Sequence, residues 1–241
     1  MKDQEELSDK EPSNILPDAG DPDKSERIKI PRELPILAVK DTVVFPSMVA
    51  ALSIYTERDI KLLNHVLAGN RFLALVAQRE KDLKALKQSD LYEYATAAVV
   101  LQMLRMPDNS AKMLVQGISR IKIGEYTQTD PYFSAKISVL EDIIENDRET
   151  EALARNAADQ FVRMISMAPS LPEELKIAIV NIDSPSRLAD MIASHLNISV
   201  AEKQQVLEAI HVKARLQKVT ALITSEMEVL EMATKIQSQV K

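Results

Sequence analysis

The 241-residue chain contains no cysteine, no tryptophan, only four glycines and few aromatic residues. Without cysteine it can form neither a disulfide nor a thiolate metal site, so nothing in the sequence requires an oxidising compartment. No apolar run approaches the about 20 residues that a membrane-spanning helix needs, and the first residues lack the apolar stretch of a signal peptide. We therefore expect a cytoplasmic protein without a membrane segment.

The scarcity of glycine also excludes a nucleotide-binding loop. Such a loop needs closely spaced glycines followed by Lys and Ser or Thr, because backbone amides must wrap the phosphates. The chain offers only isolated glycines, namely Gly20, Gly69, Gly117 and Gly124. We expect no ATP site in this chain.

Metal chemistry has equally little basis in the sequence. His65, His195 and His211 each stand alone in a predicted helix, without a second ligand at a metal-binding spacing. We assign them structural or solvent-facing roles. The sequence thus predicts no cofactor, no metal and no catalytic residue.

The charge balance argues against nucleic acid as a partner. The formal net charge is -6 and the pI is about 5.3. Lys81, Lys84 and Lys87 are interleaved with Asp82 and have no neighbouring aromatic residues, whereas RNA binding requires clustered cations with stacking rings.

Residues 1–32 are predicted to form a flexible acidic tail. They contain nine acidic side chains and no aromatic residue, and Pro12, Pro17 and Pro22 punctuate them. So little apolar surface cannot offset the entropy of ordering the segment. The tail is either a recruitment arm or a solvated leader, and we favour the leader.

Residues 33–143 are predicted to form a β-rich module. Ile36–Val39 and Val43–Phe45 are apolar runs separated by Lys40-Asp41 and bordered by Pro35 and Pro46. This pattern predicts a buried strand that turns a corner and continues, since β-branched residues suit a pleated surface and proline is tolerated at its borders.

One helix and a hairpin are also expected within this module. Apolar residues at helical spacing predict a helix over Glu57–Leu67, and Gly69-Asn70 offers the left-handed backbone that ends a helix. Pro107–Ser110 predicts a hairpin turn, because Asp and Asn tolerate a positive φ. Gly117 interrupts the returning strand, which indicates a bulge or a close backbone contact.

From residue 147 the apolar period lengthens from two to about 3.6, so residues 147–241 are predicted to form a helical bundle. Helix starts are indicated by Ser170-Leu171-Pro172-Glu173, Ser184-Pro185 and Ser199-Val200-Ala201-Glu202. The last helix, Val212 to Lys241, meets no terminating glycine or proline. The predicted fold class is α+β: a β-rich module with a short helix, then an all-α bundle ending in a long helix.

Several motifs, in order, resemble those of the ATP-dependent Lon protease family. Leu34–Pro46 follows the pattern Leu-Pro-x-x-x-x-Arg/Lys-Asp-x-Val-x-Phe-Pro, and Leu114–Arg120 follows Leu-Val-x-Gly-x-x-Arg. Leu188–Leu196 and Glu202–Glu208 follow the family in the helical region. Ala95 and Asn109 depart from it, because each stands where the family usually has glycine.

The resemblance implies that this chain is the N-terminal region of a longer protein. In the Lon family the β module has a PUA-like topology, and the last helix leads into an ATPase and a serine protease domain. The parent would then be a homohexamer that uses ATP and Mg²⁺, whereas this chain would not itself be catalytic.

Methionine is the remaining signal for a binding surface. It is unbranched and polarizable, so it adapts to varied apolar partners. The alternative is that these residues fill gaps in the core. Our predicted substrate-binding residues are Met48, Met103, Leu104, Met106 and Met113, most of which flank the predicted hairpin turn.

Three functional hypotheses follow. The favoured hypothesis is a substrate-recognition and assembly region that binds unfolded or degron-bearing polypeptides and associates with other Lon subunits. The alternatives are a stand-alone Lon-domain binding protein and a PUA-like RNA-binding module. Residues Leu104 to Met113 should respond to an unfolded polypeptide in the first case, and RNA should bind in a salt-dependent way in the last.

Overall fold

The computed structural model describes residues 28–81, 83, 85–145 and 147–240, and the side chains of 237–240 are outside this description. Most of the predicted acidic tail, part of the lysine-rich segment near Asp82 and the end of the last helix therefore lie outside the described residues. In the described part of the chain, the strands lie before residue 140 together with one α-helix, and only helices follow from Arg148, as the change of period predicts. The α+β fold class is confirmed.

Six strands form one sheet. They are β1 (Glu33–Val39), β2 (Val49–Ile54), β3 (Phe72–Ala77), β4 (Tyr94–Arg105), β5 (Ala111–Gln128) and β6 (Ser134–Val139). Their order is β2-β5-β4-β3-β1-β6, and β6 also pairs with β5, which closes the sheet into a barrel. β1 and β3 are parallel, and the other pairs are antiparallel. Closure protects most strand edges from solvent.

The long strand β5 serves two partners in succession. Its first part pairs with β2 and its second part with β6, while β4 runs along its other edge. A register shift between β4 and β5 occurs next to Gly117, and a Cβ atom there would lie 2.2 Å from the Phe45 carbonyl oxygen. The predicted bulge and close contact at Gly117 are both present.

One helix, α1 (Glu57–Ala68), packs on the barrel. Thr56 caps its start by accepting a hydrogen bond from the Asp59 backbone. Its end differs from our prediction, because Gly69 has a φ of -106° and the left-handed residue is Arg71, with a φ of 64°. The Asn70 side chain stabilises this turn by accepting from the Phe72 backbone N–H.

The predicted continuation of the first strand is wrong. β1 ends at Val39, and Val43–Phe45 lie outside any strand although all three side chains are buried. Phe45 and Val43 belong to the apolar core of the helices rather than to that of the barrel. Burial in an irregular segment and burial in a strand give the same apolar run in a sequence.

The helical region contains α2 (Arg148–Met167), α3 (Glu174–Val180), α4 (Pro185–His195), α5 (Val200–Glu208) and α6 (Val212–Val240). Ser184 and Ser199 cap α4 and α5 as predicted, the latter in a reciprocal capping box with Glu202. The helix start predicted at Ser170, as a capping box with Glu173, is wrong, since α3 begins only after Glu173 and has no side-chain cap.

Apolar packing crosses from the barrel to the helices. The helical core contains Phe161, Ile192 and Leu216 together with Phe45 and Ala77 of the β-rich part. The predicted domain boundary between residues 143 and 147 stays a prediction, and the apolar contacts do not stop at it.

Candidate functional site

An exposed, partly apolar face of the barrel is formed by β2, the start of β5 and the end of β4. Residues directly opposite in paired strands share a face, and the pairing places Ala51, Leu114 and Gln102 side by side. We call this the outer face and define it by its apolar members Val49, Ala51, Leu104 and Leu114. Val49 is 53% and Leu104 is 59% exposed. Neighbouring strands lie about 4.8 Å apart, so these side chains form one surface.

A groove adjoins this face at the hairpin between β4 and β5. It has a volume of about 430 Å³, and its lining includes Tyr55, Ile60 and Met106. The turn is shaped by Asn109, whose φ is 62°, and by Asp108, which accepts hydrogen bonds from the Ser110 backbone and hydroxyl. The positive φ predicted for this turn is therefore present.

The structure separates the predicted substrate-binding residues. Leu104 is exposed on the outer face and Met106 lines the groove. Met113 is only 2% exposed and belongs to the apolar core of the barrel, and Met103 packs against that core, so both fill space inside the barrel. Met48 packs against the helical core, with its sulfur 4.0 Å from the Ser194 hydroxyl.

Sequence reasoning missed Tyr55 and Val49. Tyr55 is 75% exposed and lines the groove, and Val49 lies at the far end of β2. The signal was available in the even spacing of residues 49, 51, 53 and 55, which places all four on one side of an extended segment. Our prediction rested on methionine and did not use this spacing.

Buried, hydrogen-bonded ion pairs lie at the junction between the barrel and the helices. Arg120 of β5 is buried and donates from Nη1 to Asp190 of α4 at 2.9 Å, and from Nε to the Leu207 carbonyl at 2.9 Å. A second Arg120–Asp190 contact makes the pair bidentate. Strand β5 is therefore tied to two helices by one side chain.

A second buried arginine completes this junction network. Arg215 of α6 has no exposed side-chain surface and donates to Asp142 at 2.5 Å, to the Ser186 hydroxyl at 2.9 Å and to the Ala209 carbonyl at 2.8 Å. Arg120 also lies 3.5 Å from Asp142. Two arginines thus meet two aspartates, so the charges in the network balance.

The buried network shifts the pKa values of its two carboxylates, Asp190 and Asp142, in opposite directions. Burial raises the pKa of Asp190, because the loss of solvation outweighs the attraction of the arginines. Burial also acts to raise the pKa of Asp142, but the hydrogen bond from Arg215 and the charge of Arg120 outweigh it. The pKa of Asp142 therefore lies below its ordinary value.

Within the described ranges, no group of three or more His, Asp or Glu side chains is arranged to hold a metal ion. No helix in that same part of the chain is long and apolar enough to cross a membrane. The outer face offers apolar contact, and the junction network offers rigid attachment of the barrel to the helices.

Comparison with known proteins gives this arrangement a family. Residues 33–225 match the family described as the ATP-dependent protease La (LON) substrate-binding domain. The chain belongs to this Lon family. The match includes the barrel, the junction network and the first part of α6, so the resemblance of the sequence motifs to Lon is confirmed.

Curated relatives of this chain are named Lon protease, in agreement with the family match. The chain is 42% identical over 212 residues to the Lon protease of Dictyoglomus thermophilum, covering 88% of this chain and 27% of that protein. It is 37% identical over 220 residues to the Lon protease of Escherichia coli strain K12, covering 91% of this chain and 28% of that protein. The chain therefore spans about a quarter of the length of these relatives.

Solved structures show the same Lon N-terminal fold. The N-terminal domain of Mycobacterium avium complex Lon protease has a TM-score of 0.67 at 21% identity, covering 80% of this chain and 98% of that one. The Lon N-terminal domain protein from Xanthomonas campestris has a TM-score of 0.57 at 14% identity, covering 78% and 97%. At these identities the likeness concerns the fold.

Proposed function

We propose that this chain captures unfolded or degron-bearing polypeptides through its outer face and presents them to ATPase and protease domains elsewhere in a longer Lon protein. The observation that carries the proposal is the exposed apolar surface around Leu104 in a chain whose family is described as substrate-binding. Unfolded polypeptides expose apolar side chains that such a surface can bury.

The composition of the outer face suits many partners better than one. Its apolar members are interrupted by Gln102, Gln116 and Lys112, and the apolar area is not enclosed. Burying an exposed leucine against a client contributes about 1.5–3 kcal/mol, which allows capture and release. RNA binding would instead need clustered cations, whereas Lys112 is flanked on this surface by Ser53 and Leu104.

The proposal extends to the parent protein. Relatives about three times as long as this chain are named Lon protease. We propose that the complete molecule is an ATP- and Mg²⁺-dependent serine protease that acts in the cytoplasm as a homohexamer, as the resemblance of the sequence motifs to the Lon family implies. In that assembly the helices would connect captured polypeptide to the downstream machinery and help subunits associate. The junction network supports this role, since it fixes the barrel to α4, α5 and α6.

A binding titration with fluorescein-labelled casein, an unfolded protein, tests the capture site. We expect Leu104→Asp to weaken casein binding by roughly tenfold or more, because a carboxylate replaces an exposed apolar side chain of the outer face. The matched control is Ile177→Asp on α3, which changes another exposed apolar residue, 69% exposed against 59% for Leu104, on another part of the molecule. Circular dichroism should show that both variants fold.

Equal casein affinity for the parent chain and Leu104→Asp would contradict the proposal. An equal loss for Leu104→Asp and Ile177→Asp would also contradict it, because the outer face would then have no special role.

A further inference from the structure

Strand β2 lies at the end of the sheet order and pairs with β5 alone among the described strands. Its other edge faces a groove of about 370 Å³ between β2 and the end of β1. One wall is built by Ala51–Thr56 and the other by Leu37–Thr42. The barrel is closed between β1 and β6 at one end, but it is open between β1 and β2 at the other.

The backbone hydrogen bonds show which groups of β2 face this groove. The Gly117 N–H donates to the Met48 carbonyl, so Met48 is a hydrogen-bonded partner of β5. Such partners alternate along an antiparallel strand, and the β2–β5 register continues without a shift. Ala50, Leu52 and Ile54 therefore direct their backbone groups to β5, whereas Ala51 and Ser53 direct theirs into the groove.

The opposite wall also presents a strand edge. The Gln78 N–H donates to the Val39 carbonyl, which places the backbone groups of Val39 on the β3 side of β1. Ala38, one residue earlier, directs its groups the other way, towards the groove. The apolar side chains of Leu52 and Ile54 belong to the barrel core and also line this space.

The groove is continuous with the outer face. Tyr55 lines both this groove and the one at the hairpin, and Ala51 belongs to both the outer face and the β2 edge. A polypeptide bound at Leu104 therefore has an unpaired strand edge within reach. Main-chain pairing suits a partner of variable sequence, because every residue except proline carries the same donor and acceptor.

We propose that an extended segment of the captured polypeptide adds to the free edge of β2 as an additional antiparallel or parallel strand, hydrogen-bonded to the backbone of Ala51 and Ser53. This inference rests on the proposed function and specifies its binding mode. The outer face supplies apolar contact with side chains, and the β2 edge supplies contacts that do not depend on the sequence of the polypeptide. Extended, proline-poor segments are the class of ligand that fits.

Backbone methylation of a short apolar casein peptide gives the sharpest test. Two versions are needed, each N-methylated at alternate residues, so that one version blocks the amides on one edge of the strand and the other blocks those on the opposite edge. Only one edge of an added strand meets β2. We expect one version to lose binding by roughly tenfold or more and the other to bind nearly as the unmodified peptide does.

A substitution in β2 tests the same backbone pairing by changing the protein instead of the peptide. Ala51→Pro removes an N–H that faces the groove and leaves the hydrogen bonds to β5 intact. It should weaken peptide binding by roughly tenfold. Ala51→Val alters the same outer-face side chain but keeps that N–H, so it is the matched control and should weaken peptide binding much less than Ala51→Pro does. Should Ala51→Pro fail to fold, amide hydrogen exchange of the parent decides, since peptide binding must slow exchange at Ala51 and Ser53.

The outcomes separate the two proposals. Binding that depends on Leu104 but is reduced equally by both methylated peptides, or is unchanged by both, would overturn strand addition and leave the proposed function standing. Unprotected amides at Ala51 and Ser53 in the bound state would do the same. Failure of casein and the peptide to bind the parent chain would overturn both. Association of two copies through β2 without peptide binding would assign this edge to self-association and overturn the inference.

Discussion

The junction network buries charged side chains, whereas the outer face exposes apolar ones. At the junction, Arg120 and Arg215 are removed from water, whereas on the outer face Leu104 and Val49 remain in contact with it. Neither choice favours stability by itself, because buried charges lose solvation and exposed leucine gains nothing from folding. The difference teaches that the two regions meet different demands: fixed geometry at the junction and available apolar surface on the face.

The junction obtains its geometry from directional bonds. Arg120 and Arg215 each donate to a carboxylate and to a helix-terminal carbonyl, and these donors are satisfied in one relative placement of barrel and helices. Apolar contacts such as those of Phe45 tolerate small shifts, whereas a bidentate ion pair does not. We infer that the network sets the orientation of the barrel on the helices.

The largest expected effect comes from breaking this network. Asp190→Ala should lower the free energy of unfolding by about 3–5 kcal/mol, because it leaves buried guanidinium groups without their counter-charge. Urea denaturation followed by circular dichroism measures the change. The control is Asp183→Ala, an exposed aspartate just before α4, which should change stability by less than about 0.5 kcal/mol. Similar small losses for both variants would show that the network contributes little.

A smaller effect is expected at the close approach between β5 and Phe45. Gly117→Ala would place a Cβ atom 2.2 Å from the Phe45 carbonyl oxygen, a backbone atom that cannot rotate away. We expect a loss of about 1–3 kcal/mol in thermal or urea unfolding. Gly69→Ala is the matched control, because its Cβ would meet the nearest atom at 3.5 Å and its φ is negative. Equal stability of the two variants would contradict the steric argument.

The smallest effect concerns pH. The pKa of Asp142 in the folded protein lies below its ordinary value of 3.8, so its ionised form stabilises the fold above that value. This contribution is lost as the pH falls through the lowered pKa. The gap in stability between the parent and Asp142→Asn should therefore be constant near neutral pH and narrow below about pH 4. A gap that widens on acidification would reverse the assigned direction.

Binding experiments can separate the role of the outer face from that of the junction network. Variants of the outer face, such as Leu104→Asp, should lose client binding while they retain their stability. Junction variants should lose stability first. A variant at Asp190 that bound casein less tightly while fully folded would show that the two regions are coupled.

Predictions from the sequence succeeded where the physical cause was local. Ser184 and Ser199 cap their helices because a serine at that position can satisfy free backbone amides without help from the rest of the molecule. Asn109 adopts its positive φ for an equally local reason. Ser170 failed because the capping pattern was present but the chain does not enter the helix there.

The candidate site was harder to predict, because exposure depends on which strands meet. Met113 and Leu104 lie in paired strands of one hairpin, yet Met113 points into the barrel and Leu104 points out. Methionine content alone gives no such direction. The alternation of residues 49, 51, 53 and 55 in the sequence places Tyr55 on one side of an extended segment, but that this side is exposed follows from the place of β2 at the end of the sheet.

By itself the sequence determined the succession of strands and helices, the hairpin turn, two serine caps and the family. These follow from periodicity, backbone preference and motifs that act over a few residues. The tertiary structure decided that Phe45 joins the helical core, that Arg120 and Arg215 share two aspartates, and that β2 keeps an open edge. Each of these depends on residues far apart in the chain coming together, and contacts at that range leave no local pattern from which they could be deduced.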